Sequence, residues 1–144
     1  MITYKYDKSI HSDDLLELYS DVGWSAYTDD ILQTQRGIAK SWLVISAWDD
    51  EEELLGLVRV ISDGETIAYI QDILVKEAWQ KKGIGKKLME LVFEKVEHIR
   101  QVVLITDGSD WNKDALVFYE KVGLKAFESF EIKGFARFLP YAAG

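Results

Sequence analysis

A chain of 144 residues, 48% of them apolar and only one a proline, has the size and composition of one domain with its own core, read here as residues 1–144. The lack of cysteine excludes disulfides, thiolate nucleophiles and zinc–thiolate centres, and the two histidines, His11 and His98, read as surface residues that cannot build a metal site alone, so no metal is expected. A net charge of −8 argues against nucleic acid and anionic membranes as partners and favours cationic small molecules or basic peptides; with no long apolar run and no signal-peptide core, no membrane span is expected and a cytoplasmic location is.

Residues 2–7, ITYKYD, alternate and predict a first strand. SDDLLELYSDV predicts a helix capped by Ser12 or Asp13, with Leu15, Leu16, Leu18 and Tyr19 on its apolar face. GWSAYT reads as a loop, followed by a helix begun near Asp29 or Asp30. WLVISAWD is a strand, DDEEE a solvated turn, LLGLVRVIS the next strand, DGE a hairpin turn and TIAYIQDILV a long strand. Three strands joined by turns imply antiparallel pairing.

The period then changes to 3.6, with Ile84, Leu88, Leu91, Val92 and Val96 on one helix face. QVVLITD is short and nearly all apolar, the pattern of a strand buried on both faces. SDWNKDALVFYEKVGL predicts a helix capped by Ser109 or Asp110 and ended by Gly123. KAFESF and GFARFL predict two closing strands. The order is βαα-βββ-αβα-ββ, a mixed α/β fold.

QKKGIGKK, Gln80 to Lys87, sits where the long strand meets the 3.6-period helix, and its four lysines are a basic spot on an acidic chain. A glycine turn that opens a helix aims peptide N–H groups at one point, where the helix end adds roughly half a positive charge. Gly83 and Gly85 let backbone approach an anion without a Cβ between them. A dinucleotide fingerprint would need a third glycine where Leu88 stands. A Walker A loop would need glycine at Gln80 and a hydroxyl at Lys87. A plain turn with a solvated lysine face stays open on spacing alone.

Q-x-x-G-x-G after a strand ending in DILV, together with ALVFYEKVGL further on, resembles the two signature motifs of the GNAT superfamily of N-acetyltransferases. VGW, IQDILV and IKGFARF are also similar to the branch holding plant-type serotonin N-acetyltransferases. The resemblance implies a GNAT fold, with a central mixed, mostly antiparallel sheet splayed at the acetyl-CoA site and flanked by helices. It implies acetyl-CoA as cosubstrate and direct acetyl transfer to a primary amine: an aryl-alkylamine, a polyamine or a lysine side chain. By the same resemblance the backbone of Gln80, Lys81, Lys82, Gly83, Ile84, Gly85 and Lys86 wraps the diphosphate, while the pantetheine arm lies along Ile73, Leu74 and Val75. A bulge opens that strand edge, and the amides of Ile73 and Val75 serve the oxyanion. Tyr119 protonates the leaving thiolate, and Asn112 is a further cofactor contact.

The base is the least defined element. Tyr69 and Gln71 share a face with Ile73, the acceptor side, and neither is a good base. Asp72 is the strand's only carboxylate; it faces the other way in ideal alternation, and a bulge can re-aim it to act directly or through water. Otherwise Asp72 is structural and the proton leaves by water. Trp24 and Tyr27 are expected to wall the acceptor groove, with Trp24 alternatively a core plug. Arg59 and Asp63 receive no role. Many members of the superfamily are homodimers, and the closing strands suit such an interface. The competing function is a non-catalytic acyl-CoA-binding module, in which Asp72 and Tyr119 serve only structure.

Overall fold

The computed structural model describes residues 1–139, which fall into two compact units, Met1–Ile105 and a second beginning at Thr106. The first unit holds strand β1 (Thr3–Lys5), helices α1 (Ser12–Asp21), α2 (Ser25–Thr28) and α3 (Ile31–Ala39), strands β2 (Leu43–Trp48), β3 (Leu54–Ser62) and β4 (Ile67–Val75), helix α4 (Ile84–Lys95) and strand β5 (Gln101–Leu104). The second holds α5 (Lys113–Lys121) between short 3-10 turns at Asp110–Asn112 and Phe127–Phe130.

The sheet runs β1-β2-β3-β4-β5, antiparallel except for the parallel β4–β5 pair, so the mixed, mostly antiparallel expectation holds. β3 is buried without a break from Leu54 to Val58, which requires cover on both faces. α1 packs on β3, and α4 packs on β2, β3 and β4. Leu15, Leu18 and Tyr19 of α1 join Ile38, Val44, Leu57 and others in one buried cluster. The other helix supplies Leu88, Met89 and Val92, all fully buried.

Gly56 lets β3 and β4 meet closely under the start of α4. A Cβ there would lie 3.0 Å from the Leu74 carbonyl oxygen, 3.2 Å from Val75 Cγ2 and 3.5 Å from Ile84 Cγ2. Gly56→Val is therefore expected to destabilise the fold by roughly 1–3 kcal/mol through overpacking. Urea denaturation checks it, and a loss below about 0.5 kcal/mol would show that α4 yields freely.

Several sequence expectations are corrected. α1 is capped not by Ser12 or Asp13 but by His11, whose Nδ1 accepts from the Asp13 amide at 3.1 Å. GWSAYT is not all loop, because Ser25–Thr28 winds into one helical turn. β5 is half-buried rather than enclosed, because it ends the sheet order. KAFESF and GFARFL are not strands: Phe127–Phe130 forms a 3-10 turn, and residues 131–139 take no regular structure. Alternating apolar residues supply strand propensity, but a ladder needs a partner, and among the described residues none pairs with this segment.

Other expectations stand. Asp30 caps α3 through the Gln33 amide, and Gly123 at φ 103° ends α5. Beyond it the Leu124 amide returns to the Tyr119 carbonyl at 3.1 Å, the Schellman closure. Asp63, without a role from sequence, braces the β3–β4 hairpin by accepting from the Glu65 and Thr66 amides and the Thr66 hydroxyl. The hydroxyl and amide of Thr66 hold its carboxyl well below the usual carboxylate range.

Candidate active site

The cofactor half of the site is built where β4 runs out. β5 pairs with β4 only from Ile67 to Ile70, so among the described residues Gln71 to Val75 continue without a neighbouring strand on that side. The Lys76 amide donates to the Leu55 carbonyl on β3 at 2.8 Å. Strand alternation then turns the amides of Val75 and Ile73 the other way, toward the vacated edge. These are the two donors expected from sequence. Gln80 ties the following loop back to the strand, its side-chain amide donating to the Val75 carbonyl at 3.0 Å.

The corner itself has the geometry of an anion cradle. Lys81 (φ 62°) and Gly83 (φ 89°) are both left-handed, which curls successive peptide groups into a concave turn. The first helical bond of α4 joins the Lys87 amide to the Gly83 carbonyl. The amides of Ile84, Gly85 and Lys86 therefore have no carbonyl within the helix, and Gly83 at the N-cap offers no side chain to cap them. Beyond its own neighbours and helix backbone, a Cβ at Gly83 would meet none of the described residues within 4 Å, which leaves room above this peptide. Lys82 lies over the Trp79 ring at 5.1 Å, which holds its ammonium near the turn. A diphosphate fits these donors and charges, and the residues suit a CoA-type cosubstrate. Among the described residues no group of three or more histidine, aspartate or glutamate side chains is placed to hold a metal.

The acceptor half centres on Asp72. The β3–β4 ladder shifts register between Arg59 and Val60: Val60 pairs with Ile70 and Arg59 with Asp72, so Gln71 is the extra residue of a bulge. Asp72 is 2% exposed. It accepts from Arg59 Nε at 2.5 Å, from the Tyr19 hydroxyl at 3.0 Å and from the Tyr27 hydroxyl. Gln71 Nε2 donates to the same Tyr27 hydroxyl at 3.1 Å, so two consecutive strand residues converge on one group, as a bulge permits and strict alternation does not. Arg59 Nη1 also reaches Ser41 Oγ at 3.3 Å, and Ser41 donates to the Gly37 carbonyl at 2.9 Å, which anchors the guanidinium beside α3.

The cluster's electrostatics follow from burial. Desolvation, and then the Asp72 charge, push the Tyr19 phenol well up and the Tyr27 phenol up to about 12. Burial works against the Arg59 charge, but Asp72 outweighs it and holds the guanidinium above its usual value. Burial and Asp72 also raise Tyr69. Asp72 is thus a closed carboxylate in an ion pair. Three donors occupy it and almost none of its surface is open. Its outward connection is Tyr27.

Trp24 and Tyr27 lie 5.8 Å apart between ring centres, tilted by 33°, and both pack on the core cluster while remaining half-buried. Trp24 therefore plugs the core while keeping part of its surface open. The structure brings Tyr27, Gln71 and Asp72 together, while Tyr69 stays half-buried on the Gln71 face. Tyr19, Arg59 and Ser41 were missed by sequence reasoning. The available signal was a lone arginine and a lone aspartate inside two adjacent apolar strands.

The second unit carries the remaining two expected residues. The Asn112 side chain donates to the Asp107 carbonyl at 2.7 Å and to Thr106 Oγ1 at 3.2 Å, so its amide is spent on its own loop. Tyr119 is half-buried, and desolvation raises its phenol, with the Thr106 hydroxyl opposing. It therefore carries its proton at neutral pH.

Comparison with known proteins agrees with this geometry. The profile described as "Acetyltransferase (GNAT) family" matches residues 9–124, and the chain belongs to that family. The family's shared cosubstrate is acetyl-CoA. L-ornithine N5-acetyltransferase NATA1 of Arabidopsis thaliana is 32% identical over 69 residues, 44% of this chain and 28% of that protein. GNAT family protein SP0256 from Streptococcus pneumoniae TIGR4 superposes with TM-score 0.82 at 27% identity, covering 96% of this chain and 98% of the other. Aminoglycoside N-acetyltransferase AAC(6')-Iy, solved in complex with CoA, shares the fold at TM-score 0.71 and 14% identity over 99% and 96% of the two chains. The chain spans 45%, 28% and 60% of the length of three curated relatives it matches. No described helix is long and apolar enough to cross a membrane.

Proposed function

We propose that the protein transfers acetyl from acetyl-CoA directly to a primary amine, a small aryl-alkylamine or polyamine or a lysine side chain. The observation that carries this reading is the corner at Gly83, where uncapped helix amides and a left-handed glycine follow a strand whose outer edge has lost its neighbour. The family profile runs through both units, which supports treating them as one N-acetyltransferase domain.

In this reading the corner amides and nearby lysines hold the diphosphate, and the edge amides of Ile73 and Val75 orient the thioester and donate to its carbonyl oxygen as charge builds there. Trp24 and Tyr27 wall the acceptor side, and the amine's proton leaves through water. Tyr119, protonated at neutral pH, gives its proton to the departing thiolate. Asp72 acts on the substrate only through Tyr27. The lack of cysteine leaves no thiol for a covalent acyl-enzyme. A second copy of the chain is the proposed protein partner, because Phe135, Phe138 and Leu139 are 96%, 79% and 76% exposed on a segment of strand-like pattern. Light scattering reads that directly.

Acetyl-CoA turnover against a panel of amines, followed by thiol release, tests the reaction. Binding of CoA without acetylation of any amine would make the protein an acyl-CoA-binding module instead. Tyr119→Phe is expected to lower kcat roughly 10- to 100-fold while CoA affinity changes by less than about 3-fold. Equal turnover in the variant removes the acid role.

A further inference from the structure

We propose that the Tyr27 hydroxyl oxygen accepts a hydrogen bond from the N–H of the acceptor amine, and that Asp72 and Arg59 are positioning residues that fix the hydroxyl in this polarity. The proposal rests on the amine acetyl transfer stated above.

A phenol has one proton to give and two lone pairs to offer. Asp72, ion-paired with Arg59, is a carboxylate and only accepts, so the Tyr27 proton points to Asp72 Oδ1. Gln71 Nε2 uses one lone pair of the Tyr27 oxygen at 3.1 Å. Among the described residues one lone pair remains, on a side chain that keeps part of its surface exposed and lies beside Trp24. With its only proton committed inward, Tyr27 can bind a donor and has nothing for an acceptor. A primary amine or ammonium brings N–H donors; carboxylates and carbonyl oxygens bring none.

The polarity is set from several sides. Tyr19 of α1 gives its own proton to Asp72 Oδ2, the oxygen that Arg59 of β3 also holds, which leaves Oδ1 to Tyr27. Tyr69 of β4 adds a further phenol that feels the Asp72 charge. Ser41 pins the guanidinium. Because burial and then the Asp72 charge raise the Tyr27 phenol to about 12, it keeps its proton, and the arrangement persists, through neutral and mildly alkaline solution.

The test is steady-state kinetics with tyramine, putrescine, ornithine and a lysine peptide, using the amine that the wild-type protein acetylates fastest, with CoA binding measured in parallel. Tyr27→Phe is expected to raise the amine KM roughly 10-fold or more, with kcat within about 3-fold and CoA affinity unchanged. Asp72→Asn is nearly isosteric, but its amide N–H₂ turns to Tyr27 and drives the hydroxyl proton outward, so the amine KM rises at least as far. In the Tyr27→Phe background the same Asp72→Asn change is expected to add less than about 3-fold, because there is no hydroxyl left to invert. A purely structural Asp72 would exert its full effect in both backgrounds, and that result overturns the proposal. So does an unchanged amine KM in Tyr27→Phe. A wild-type protein that binds CoA and acetylates no amine removes the parent reading together with this one, whereas active enzyme with an indifferent Tyr27 removes this one alone.

Discussion

Gly83→Val is expected to weaken CoA binding by about 10²- to 10⁴-fold, the loss of two or more hydrogen bonds to a charged group at roughly 1.5–3 kcal/mol each. Two causes act together. The peptide at Gly83 sits at φ 89°, a region that costs an L-residue roughly 1–2 kcal/mol and a β-branched one more. The new side chain would also project into the space that is free above Gly83. Because none of the described residues beyond its immediate neighbours and its own helix backbone lies within 4 Å of that Cβ, the fold should tolerate the change far better than the ligand does. Calorimetric CoA affinity and the urea midpoint, measured on one preparation, separate the two. Retained affinity in a folded variant would mean that the diphosphate is held somewhere else.

Arg59→Met is expected to destabilise the protein by about 3–5 kcal/mol, since it strands a buried carboxylate. The side chains of Arg59 and Asp72 are 11% and 1% exposed, so solvent cannot replace the missing partner. The size of the effect measures the isolated charge rather than the worth of the pair. Adding Asp72→Asn to Arg59→Met should therefore recover stability, even though a further native group has been removed. Urea denaturation of both variants decides it. A loss below about 1 kcal/mol in Arg59→Met, or no recovery in the double variant, would show that the carboxylate is hydrated or already neutral.

The strand–turn–helix corner was legible in the sequence because its determinants are local. Two glycines, a change of period at Ile84 and a preceding apolar strand lie within a few residues of one another. The Arg59–Asp72 pair was not, because its geometry depends on register. Counted back from the hairpin, Ser62 faces Ala68 and Val60 faces Ile70, so an even ladder would set Arg59 opposite Gln71. One bulged residue moves it to Asp72, and no local propensity marks where a bulge falls. That single slip sets the strand's one carboxylate against Arg59. The closing segments failed for the opposite reason: GFARFL has strand composition, yet composition cannot supply the neighbour on which a strand depends. His11 escaped notice because histidine is not among the favoured caps, although its Nδ1 can accept as an aspartate oxygen does.

The short pairing between β4 and β5 has a cost in the unliganded protein. A strand that loses its β5 partner at Ile70 but runs on to Val75 beside β3 alone offers, among the described residues, a half-open backbone edge, the kind of template on which other chains nucleate aggregates. A pantetheine arm lying there would cover that hazard during every catalytic cycle. The supply of thioester would then bear on how long the folded protein survives as well as on its turnover.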